Sequence, residues 1–396
     1  MQIDYIIAGL VAILCFTILK KYFFRSVGIK LFSIVYTGHL ISGIFSYLYF
    51  TFYLSKPLDM LNFLNDARIC FALLESNPSL YFDFFFWMDS MNIPHSLTEI
   101  WHKTYFITNS GALQVIKIHV LLFKIFDGNI WVNVVVFQTI VMMAFGLIFK
   151  GLKANYKLLI FTLFPGLMFW FNSMLKESLV LFALGCFVYA LSFSKIRHFI
   201  ALIMSLIILY LTRNYMAVLL LYSLVLVYVV SKFKWSIGTL ELILIALLGL
   251  SLSSIWSNEG FIDQLVNKWY AFDALPKGGS NFNLFDLGSK AEVLYTFLLA
   301  DEVAIFRPFS FNSMYMFVLS IENILVLLIC AFCFISFGFK PLRLKDRYII
   351  VFSFLVLFVI GFVVRNDGAL YRYKSSIWML LTLTFFNRID FSLKRQ

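Results

Sequence analysis

Charged residues interrupt a few otherwise apolar stretches of the sequence, and their types suit chemistry on a phosphate group. Arginine presents a planar fork of donors that matches two phosphate oxygens at a water interface. A carboxylate can accept the proton of an attacking hydroxyl group. The candidate functional residues are Asp66, Lys176, Glu177, Arg213, Arg307, Glu322, Arg365, Asp367 and Arg372.

Lys176 and Glu177 stand at the junction of two apolar runs that are joined by almost no loop. A charged pair so close to hydrocarbon is costly to place, which makes it a functional hypothesis by default. The alternative is a helix start with Asn172 or Ser173 as the N-cap, where an acid in the first turn is favoured by the helix dipole. That alternative accounts for Glu177 and leaves Lys176 unexplained.

Two arginines lie at the ends of predicted helices. Arg213 interrupts the apolar run 199–230, at what we predict to be the tip of a tight helical hairpin, and it either has a functional role there or simply extends to water. Arg307 precedes Pro308 and another apolar run. It either grips phosphate oxygens or forms an ion pair with Asp301 or Glu302.

The short segment between the last two apolar runs carries Arg365, Asp367, Arg372 and Lys374. Three cations on an external loop run against the usual charge bias of membrane proteins, so the loop is predicted to bind a lipid head group or pyrophosphate. A plain solvated loop is the alternative. Glu322 lies about two turns inside the preceding helix and should face a partner or a cavity, because a carboxylate facing lipid is disfavoured.

Asp66 follows an early apolar run and is a candidate general base, although the segment around it contains many acids. His95 and His102 have no third ligand clustered with them, so no metal site is expected. Most of the cysteines lie inside apolar runs, which argues against a disulfide framework. The sequence implies no cofactor.

The elements that must position these residues are transmembrane helices. The chain has 396 residues, of which 62% are hydrophobic and 13% charged, a composition that excludes a water-soluble globule of this size. We predict an all-α polytopic membrane protein, a single integral domain over 1–396 with long external segments at 56–128 and 257–313 that carry amphipathic helices. About eleven spans are predicted, at residues 3–19, 31–54, 129–149, 157–172, 177–193, 198–212, 215–231, 236–255, 314–337, 347–364 and 374–387.

The distribution of charge predicts the orientation. Five basic clusters between the predicted spans and a sixth in the C-terminal tail together hold 18 Lys and Arg residues against 2 acids, so these clusters should be cytoplasmic. The N-terminus is then outside, the C-terminus is cytoplasmic, and the candidate residues lie on the outer face, provided that residues 112–126 form an interfacial helix. Basic clusters at helix ends explain the net charge of +11, so binding to nucleic acid is not expected. We expect an enzyme that acts on lipid-carried substrates at this face.

The chain resembles the O-antigen and exopolysaccharide polymerases (Wzy-like proteins) of bacterial surface-polysaccharide clusters, within the broader GT-C type of lipid-phosphosugar-dependent glycosyltransferases. The resemblance covers the architecture of most of the chain through short motifs. These are Asn65-Asp66 after an early span, an external amphipathic segment, Phe164-Pro165-Gly166 leading to Lys176-Glu177, Arg213 at a predicted hairpin tip, and Phe306-Arg307-Pro308-Phe309 before a helix with Glu322.

The resemblance implies a sugar donor on polyprenyl phosphate or diphosphate at the outer face of the bacterial inner membrane. By position, Asp66 or Glu177 would activate the acceptor and Asp367 and Glu322 would support the site, while the diphosphate would be held by Lys176, Arg213, Arg307, Arg365 and Arg372. Membrane lipids and a chain-length regulator or other assembly proteins are the implied partners. Asn65-Asp66 replaces the paired acids common in metal-assisted transferases, which favours a polymerase. A transporter or flippase of lipid-linked saccharides and a non-catalytic envelope subunit remain alternatives.

Overall fold

The fold was analysed in a computed structural model, which is helical and shows no β-strand in the residues it describes. Those residues are 2–53, 59–87, 93–105, 109–191, 195–233, 238–239, 241–243, 245–247, 266–267, 269–270, 299–300, 302–309, 313–337, 343–364 and 366–393. Arg365 and Asp301, together with most of the second external segment and of the predicted span 236–255, lie outside them.

The described helices are numbered in chain order. They are α1 (Gln2–Tyr22), α2 (Ile29–Phe52), α3 (Asp59–Ser76), α4 (Leu80–Phe86), α5 (Thr98–Lys103), α6 (Ser110–Ile125), α7 (Ile130–Leu152), α8 (Pro165–Phe171), α9 (Lys176–Ala190), α10 (Ile196–Lys232), α11 (Met314–Phe337), α12 (Leu344–Val363) and α13 (Asp367–Leu393). Two 3-10 segments, His95–Leu97 and Tyr156–Leu163, complete the described elements.

Five helices, α1, α2, α7, α10 and α12, are long and apolar enough to cross a membrane. The number rises to 6 if α8 and α9, which meet at a 99° bend, count as one broken span. These helices identify a membrane-embedded protein, since a bilayer core of about 30 Å needs about 20 apolar residues per helix. The predicted count of about eleven spans is not confirmed by the described residues.

The predicted span at 157–172 takes a different form. A 3-10 segment ends at Leu163, and Pro165 then starts the short helix α8. Proline disfavours helical backbone at the residue before it and is well suited to the first position of a new helix, so Pro165 divides the run. The chain then turns again before α9, and this second turn places Lys176 at the start of a helix.

The helices form two compact units. Unit 1 comprises Met1–Leu163 and Met168–Tyr215, and unit 2 comprises Phe164–Leu167 and Met216–Gln396. In unit 1, glycines allow α7 and α9 to pack with their backbones close together. A Cβ atom added at Gly185 would lie 2.7 Å from the carbonyl oxygen of Ala144, and one at Gly151 would collide with the carbonyl of Val188. Small residues at such contacts are typical of helix packing in membranes, and here they fix α9, which carries Lys176 and Glu177.

Helix α6 contains the run at 112–126 that was predicted to lie at the interface. It has 16 residues, fewer than the roughly 20 that a span requires, and it falls outside the candidate spans found in the described residues. The inward face of α6 is buried and includes Lys117, which donates hydrogen bonds to the carbonyls of Phe85, in the last turn of α4, and of Trp87, just after it. The burial of Lys117 lowers its pKa to about 8.

The two apolar runs predicted on either side of Arg213 form two helices that meet at a kink at this residue, and together they are numbered α10, which has 37 residues. Arg213 has φ −150° and ψ 78°, whereas its neighbours continue the helix on both sides. A straight helix of this length would extend about 55 Å, well beyond a bilayer core. The break divides this length where the two predicted spans meet.

In unit 2, the carboxylate of Glu322 on α11 caps the start of α8. It accepts hydrogen bonds from the backbone amides of Gly166, at 2.6 Å, and Leu167, at 3.0 Å. A carboxylate is favoured at a helix N-terminus, where amides lack partners within the helix. A Cβ atom at Gly166 would lie 2.7 Å from Glu322 Oε2, so the close approach requires glycine. The expectation that Glu322 faces a partner is confirmed, and the partner is backbone.

Candidate functional site

The first candidate cluster is an ion pair buried in unit 1. Glu177 lies in the first turn of α9, and its Oε1 is 2.6 Å from Nη2 of Arg213 at the break in α10. The two side chains are only 3% and 10% exposed, respectively. Because a buried charge is costly unless it is paired, each of these residues keeps the other in place.

Lys176 lies beside this pair and contacts the start of α6. Its Nζ donates to Oδ1 of Asn109 at 3.0 Å. The same oxygen accepts the backbone amides of Gly111, at 3.1 Å, and Ala112, at 3.2 Å, so Asn109 is the N-cap of α6. The N-terminus of α6, with its partial positive charge, and the ammonium group of Lys176 therefore share one polar centre.

Gly111 brings this centre next to Arg213. A Cβ atom at position 111 would collide with the carbonyl oxygen of Thr212 and would lie 3.2 Å from Nζ of Lys176. The starts of α6 and α9 and the break in α10 thus meet within a few ångströms. Three of the predicted site residues, Lys176, Glu177 and Arg213, come together here, in an arrangement with two cations and two helix N-termini that suits an anionic group.

We expect Gly111→Ala to disturb this cluster although alanine is the better helix former. Alanine should favour the helix by up to about 1 kcal/mol, but its methyl group must displace the backbone of Thr212, and such overpacking typically costs about 1–3 kcal/mol. Net destabilisation should appear in the free energy of unfolding measured in detergent. Gly9→Ala in α1 is the matched control, because nothing lies within 4 Å of the added Cβ atom there. A Gly111→Ala protein as stable as Gly9→Ala would contradict the close approach.

Asp66 lies on α3 in the same unit and is almost fully buried. Its carboxylate accepts the backbone amide of Tyr105 at 3.1 and 3.2 Å, four residues before Asn109. One turn earlier on α3, the ring of Phe63 lies 5.9 Å from Nζ of Lys176. The helix that carries Asp66 therefore borders the cluster, and Asp66 fixes the chain that leads to the α6 cap.

The alternative that Asn172 or Ser173 is the N-cap of α9 is wrong. The N-cap position is Leu175, which makes no side-chain capping bond. Asn172 instead donates hydrogen bonds to His39 Nδ1 and to the carbonyl of Met168. Ser173 donates to the carbonyl of Trp170. The first-turn position of Glu177, which that alternative also used, is confirmed.

A second cation–carboxylate pair lies in unit 2. Nη1 of Arg307 is 3.4 Å from Oδ1 of Asp367, the first residue of α13. Arg307 is 34% exposed and Asp367 is nearly buried. Burial raises the pKa of the Asp367 carboxyl group, while the neighbouring charges of Arg307 and Lys374 oppose that shift. The sequence-based alternative named Asp301 or Glu302 as the ion-pair partner of Arg307. The described partner is Asp367, and Asp301 lies outside the described residues.

Lys374, a residue of the cationic loop motif, is completely buried beneath Arg307. Its Nζ donates to the carbonyls of Ala304, at 2.8 Å, and Arg307, and to Oδ1 of Asn323 at 2.7 Å. Asn323 in turn donates to the carbonyl of Phe306 at 3.0 Å and accepts Nε1–H of Trp378 at 2.9 Å. Lys374 is thus a buried structural cation that fixes the chain carrying Arg307, and the alternative of a plain solvated loop is wrong for this residue.

Arg372 is only 9% exposed and lies 5.6 Å from the ring centre of Tyr373, on α13. The predicted cluster of cations therefore divides between the units. Lys176 and Arg213 belong to unit 1, with Asp66 and Glu177, while Arg307, Arg372, Asp367 and Glu322 belong to unit 2. Within the described ranges, no three His, Cys, Asp or Glu side chains are grouped as a metal site would require.

Sequence reasoning missed Asn109, Asn323 and the buried role of Lys374. A signal existed for Asn109, because an asparagine directly before an apolar run is a typical helix start. Nothing in the sequence distinguished Asn323 from its apolar neighbours in α11 except its polarity at mid-helix. In comparisons with known proteins, no family model, curated protein or solved structure matches this chain.

Proposed function

We propose that the protein transfers or polymerises sugar units from a polyprenyl-(di)phosphate-linked donor at the outer face of the bacterial inner membrane, in the synthesis of a surface polysaccharide. The observation that carries the proposal is the cluster of Lys176, Glu177 and Arg213, in which two cations and the N-termini of α6 and α9 meet in a protein with long apolar helices. A lipid-borne phosphate is the anion that such a membrane site suits best.

The chemistry follows from the charges. Diphosphate becomes a good leaving group once its developing negative charge is stabilised by fixed cations and helix dipoles. Arg213 supplies a planar donor group whose orientation is set by Glu177, and Lys176 supplies a point charge held by Asn109. Both cations are held before the substrate arrives, so little reorganisation is needed during the reaction.

Glu177 and Asp66 take different roles in this proposal. A carboxylate 2.6 Å from a guanidinium group fixes the direction of that group, so Glu177 orients Arg213. Asp66, whose carboxylate accepts the backbone amide of Tyr105, is the candidate to accept the proton of the acceptor hydroxyl. In unit 2, Arg307 and Arg372 remain candidates for binding head groups.

The test is turnover of a defined substrate. Protein in nanodiscs receives a polyprenyl-diphosphate-linked oligosaccharide, and the products are separated by chain length. We expect wild type to form longer products. Arg213→Lys should retain the charge but lose the fork of donors and most of the activity, and Asp66→Asn should lose about 100-fold or more in turnover.

Lys103→Ala is the matched control, since Lys103 is exposed and pairs only with Glu99 on the surface of α5 in its described contacts. It removes a positive charge in the same unit and should leave turnover unchanged. Unaltered substrate with well-folded wild type would refute the proposal. Equal turnover by Arg213→Lys, Lys103→Ala and wild type would remove the cluster from the mechanism.

A further inference from the structure

Lys176 and Glu177 directly follow a sharp bend in the chain. Helix α8 ends at Phe171 and α9 begins at Lys176, and the two helices are bent by 99° across the residues between them. Within the bend, Met174 has a φ of 54°, which is the left-handed region that a side chain other than glycine rarely adopts. Such a conformation persists only when the surroundings enforce it.

His39 on α2 holds the beginning of the bend through a hydrogen-bond chain of defined direction. The amide of Asn172 donates to Nδ1 of His39 at 3.0 Å, and Nε2 is 3.1 Å from Oγ1 of Thr162. Because the Thr162 hydroxyl donates to the carbonyl of Leu159, its oxygen accepts the Nε2 proton. The neutral ring therefore uses both nitrogens, one as acceptor and one as donor.

Helix α2 approaches the bend closely enough for this contact because of Gly43. A Cβ atom at position 43 would lie 3.0 Å from Val134 on α7 and 3.5 Å from the carbonyl oxygen of Asn172. One turn further along α2, the hydroxyl of Ser46, which lies 2.8 Å from the carbonyl of Ser42, also lies 3.2 Å from the carbonyl oxygen of Phe169. One face of α2 thus supports the end of α8 and the first residue of the bend.

His119 on α6 packs against the other end of the bend. Its ring is fully buried and stacks on Phe137 at a centroid distance of 4.8 Å. In the neutral ring, Nδ1–H donates to Oδ1 of Asn133 at 2.8 Å, since the Asn133 amide is directed to the carbonyl of Asn129. Nε2 is then unprotonated and packs 3.4 Å from the carbonyl oxygen of Met174 without a hydrogen bond. The contact falls on the residue with the left-handed backbone, two positions before Lys176.

We propose that His39 and His119 are positioning residues for the anion-binding cluster, a role that rests on the proposed function of that cluster. His39 is hydrogen-bonded to the first residue of the bend at 172–175, and the ring of His119 packs against Met174 within it. The bend sets the direction in which α9 presents Lys176 to Asn109 and Glu177 to Arg213. In the described hydrogen bonds, neither histidine is bonded to Lys176, Glu177 or Arg213. Their effect is transmitted through the backbone of the bend.

The experiment measures the position of Lys176 without turnover. Folded protein in nanodiscs is treated briefly with an amine-acylating reagent, and the modification of each lysine is followed by mass spectrometry. Lys103 and Lys124, both half-exposed on the surface of unit 1, serve as internal references. We expect His39→Leu and His119→Leu each to raise the acylation rate of Lys176 severalfold, because the ammonium group leaves Asn109, with no change at the reference lysines.

His198→Leu is the matched control, since His198 is a buried histidine of the same unit that lies near Lys195 and Tyr189 rather than the bend. It should leave the Lys176 rate at the wild-type value. The conservative changes His39→Gln and His119→Asn keep part of the hydrogen bonding and should give intermediate rates. The proposal would be overturned if the acylation rate of Lys176 were unchanged in both leucine variants. It would also be overturned if the acylation rates of Lys176, Lys103 and Lys124 rose equally in the leucine and conservative variants.

A second readout connects the histidines to the reaction. If wild type turns over the lipid-linked donor, the leucine variants should lose about 100-fold in kcat/KM, the scale expected when reacting groups are misplaced by about 1 Å, and the conservative variants should recover part of it. If wild type shows no turnover, the acylation rates still decide whether the histidines position Lys176. Failure of the proposed function and failure of the positioning role are therefore separate results.

Discussion

Replacing Arg213 with methionine should destabilise the protein by about 3–5 kcal/mol, the usual cost of leaving one member of a buried ion pair uncompensated. Glu177 would remain 3% exposed at the start of α9 with its nearest positive charge removed. The measurement is the free energy of unfolding in detergent by denaturant titration. Glu177→Leu should have a similar effect, because it leaves the guanidinium group buried instead.

The double variant Glu177→Leu/Arg213→Met separates stability from function. Apolar residues of similar volume often replace a buried ion pair at little cost, so the double variant should recover most of the stability lost in each single variant. The pair would then show a large coupling energy in a double-mutant cycle. It should nevertheless remain inactive, since the cation is absent. A double variant as unstable as the sum of the two single changes would show that the two residues do not act as a pair.

The class of fold could be predicted from the sequence, because long apolar runs in a chain with so few charges are inconsistent with a soluble protein. The helices α2, α7 and α12 agree closely with predicted runs. The break between the predicted runs 198–212 and 215–231 is also found in the structure, at Arg213. The run at 157–172 was harder, because Pro165 divides it into a 3-10 segment and a short helix. Hydropathy measures apolar content and does not reveal where the backbone changes direction.

The candidate residues could be selected from the sequence, but their partners could not. Lys176, Glu177 and Arg213 stood out because charges near apolar runs are costly. That Glu177 pairs with Arg213 depends on how α9 and α10 pack, which no local pattern encodes. Asn172 shows the same limit, since an asparagine near a helix start is a reasonable N-cap, whereas its side chain bonds His39 on another helix.

The two cation–carboxylate pairs share a local design that suggests why acids occur at these positions. Glu177 is in the first turn of α9, and Asp367 is the first residue of α13. In both cases the acid is favoured by the dipole of its own helix and is approached by an arginine from an irregular segment. The acid therefore serves to anchor the arginine, which is consistent with giving Glu177 an orienting role and reserving Asp66 as the base.

The buried ammonium group of Lys374 leads to the second large prediction. Lys374→Met should destabilise the protein by about 2–3 kcal/mol, because the carbonyls of Ala304 and Arg307 would lose a charged donor in a buried environment. Trp378 would still donate to Asn323, so the loss should be concentrated in the chain around Arg307. Hydrogen exchange followed by mass spectrometry should show faster exchange in residues 302–309 than in wild type.

Lys103→Met provides the comparison, since it removes an exposed lysine and should change the stability by less than about 0.5 kcal/mol. Lys374→Arg tests whether the geometry of the hydrogen bonds matters as well as the charge. The larger planar guanidinium group cannot donate to two carbonyls and to Oδ1 of Asn323 from the position of one ammonium group. It should therefore also accelerate exchange near Arg307 although the positive charge is kept. If Lys374→Met exchanged as slowly as wild type in this segment, the buried network would not be what holds Arg307, and Asp367 would be left as its main anchor.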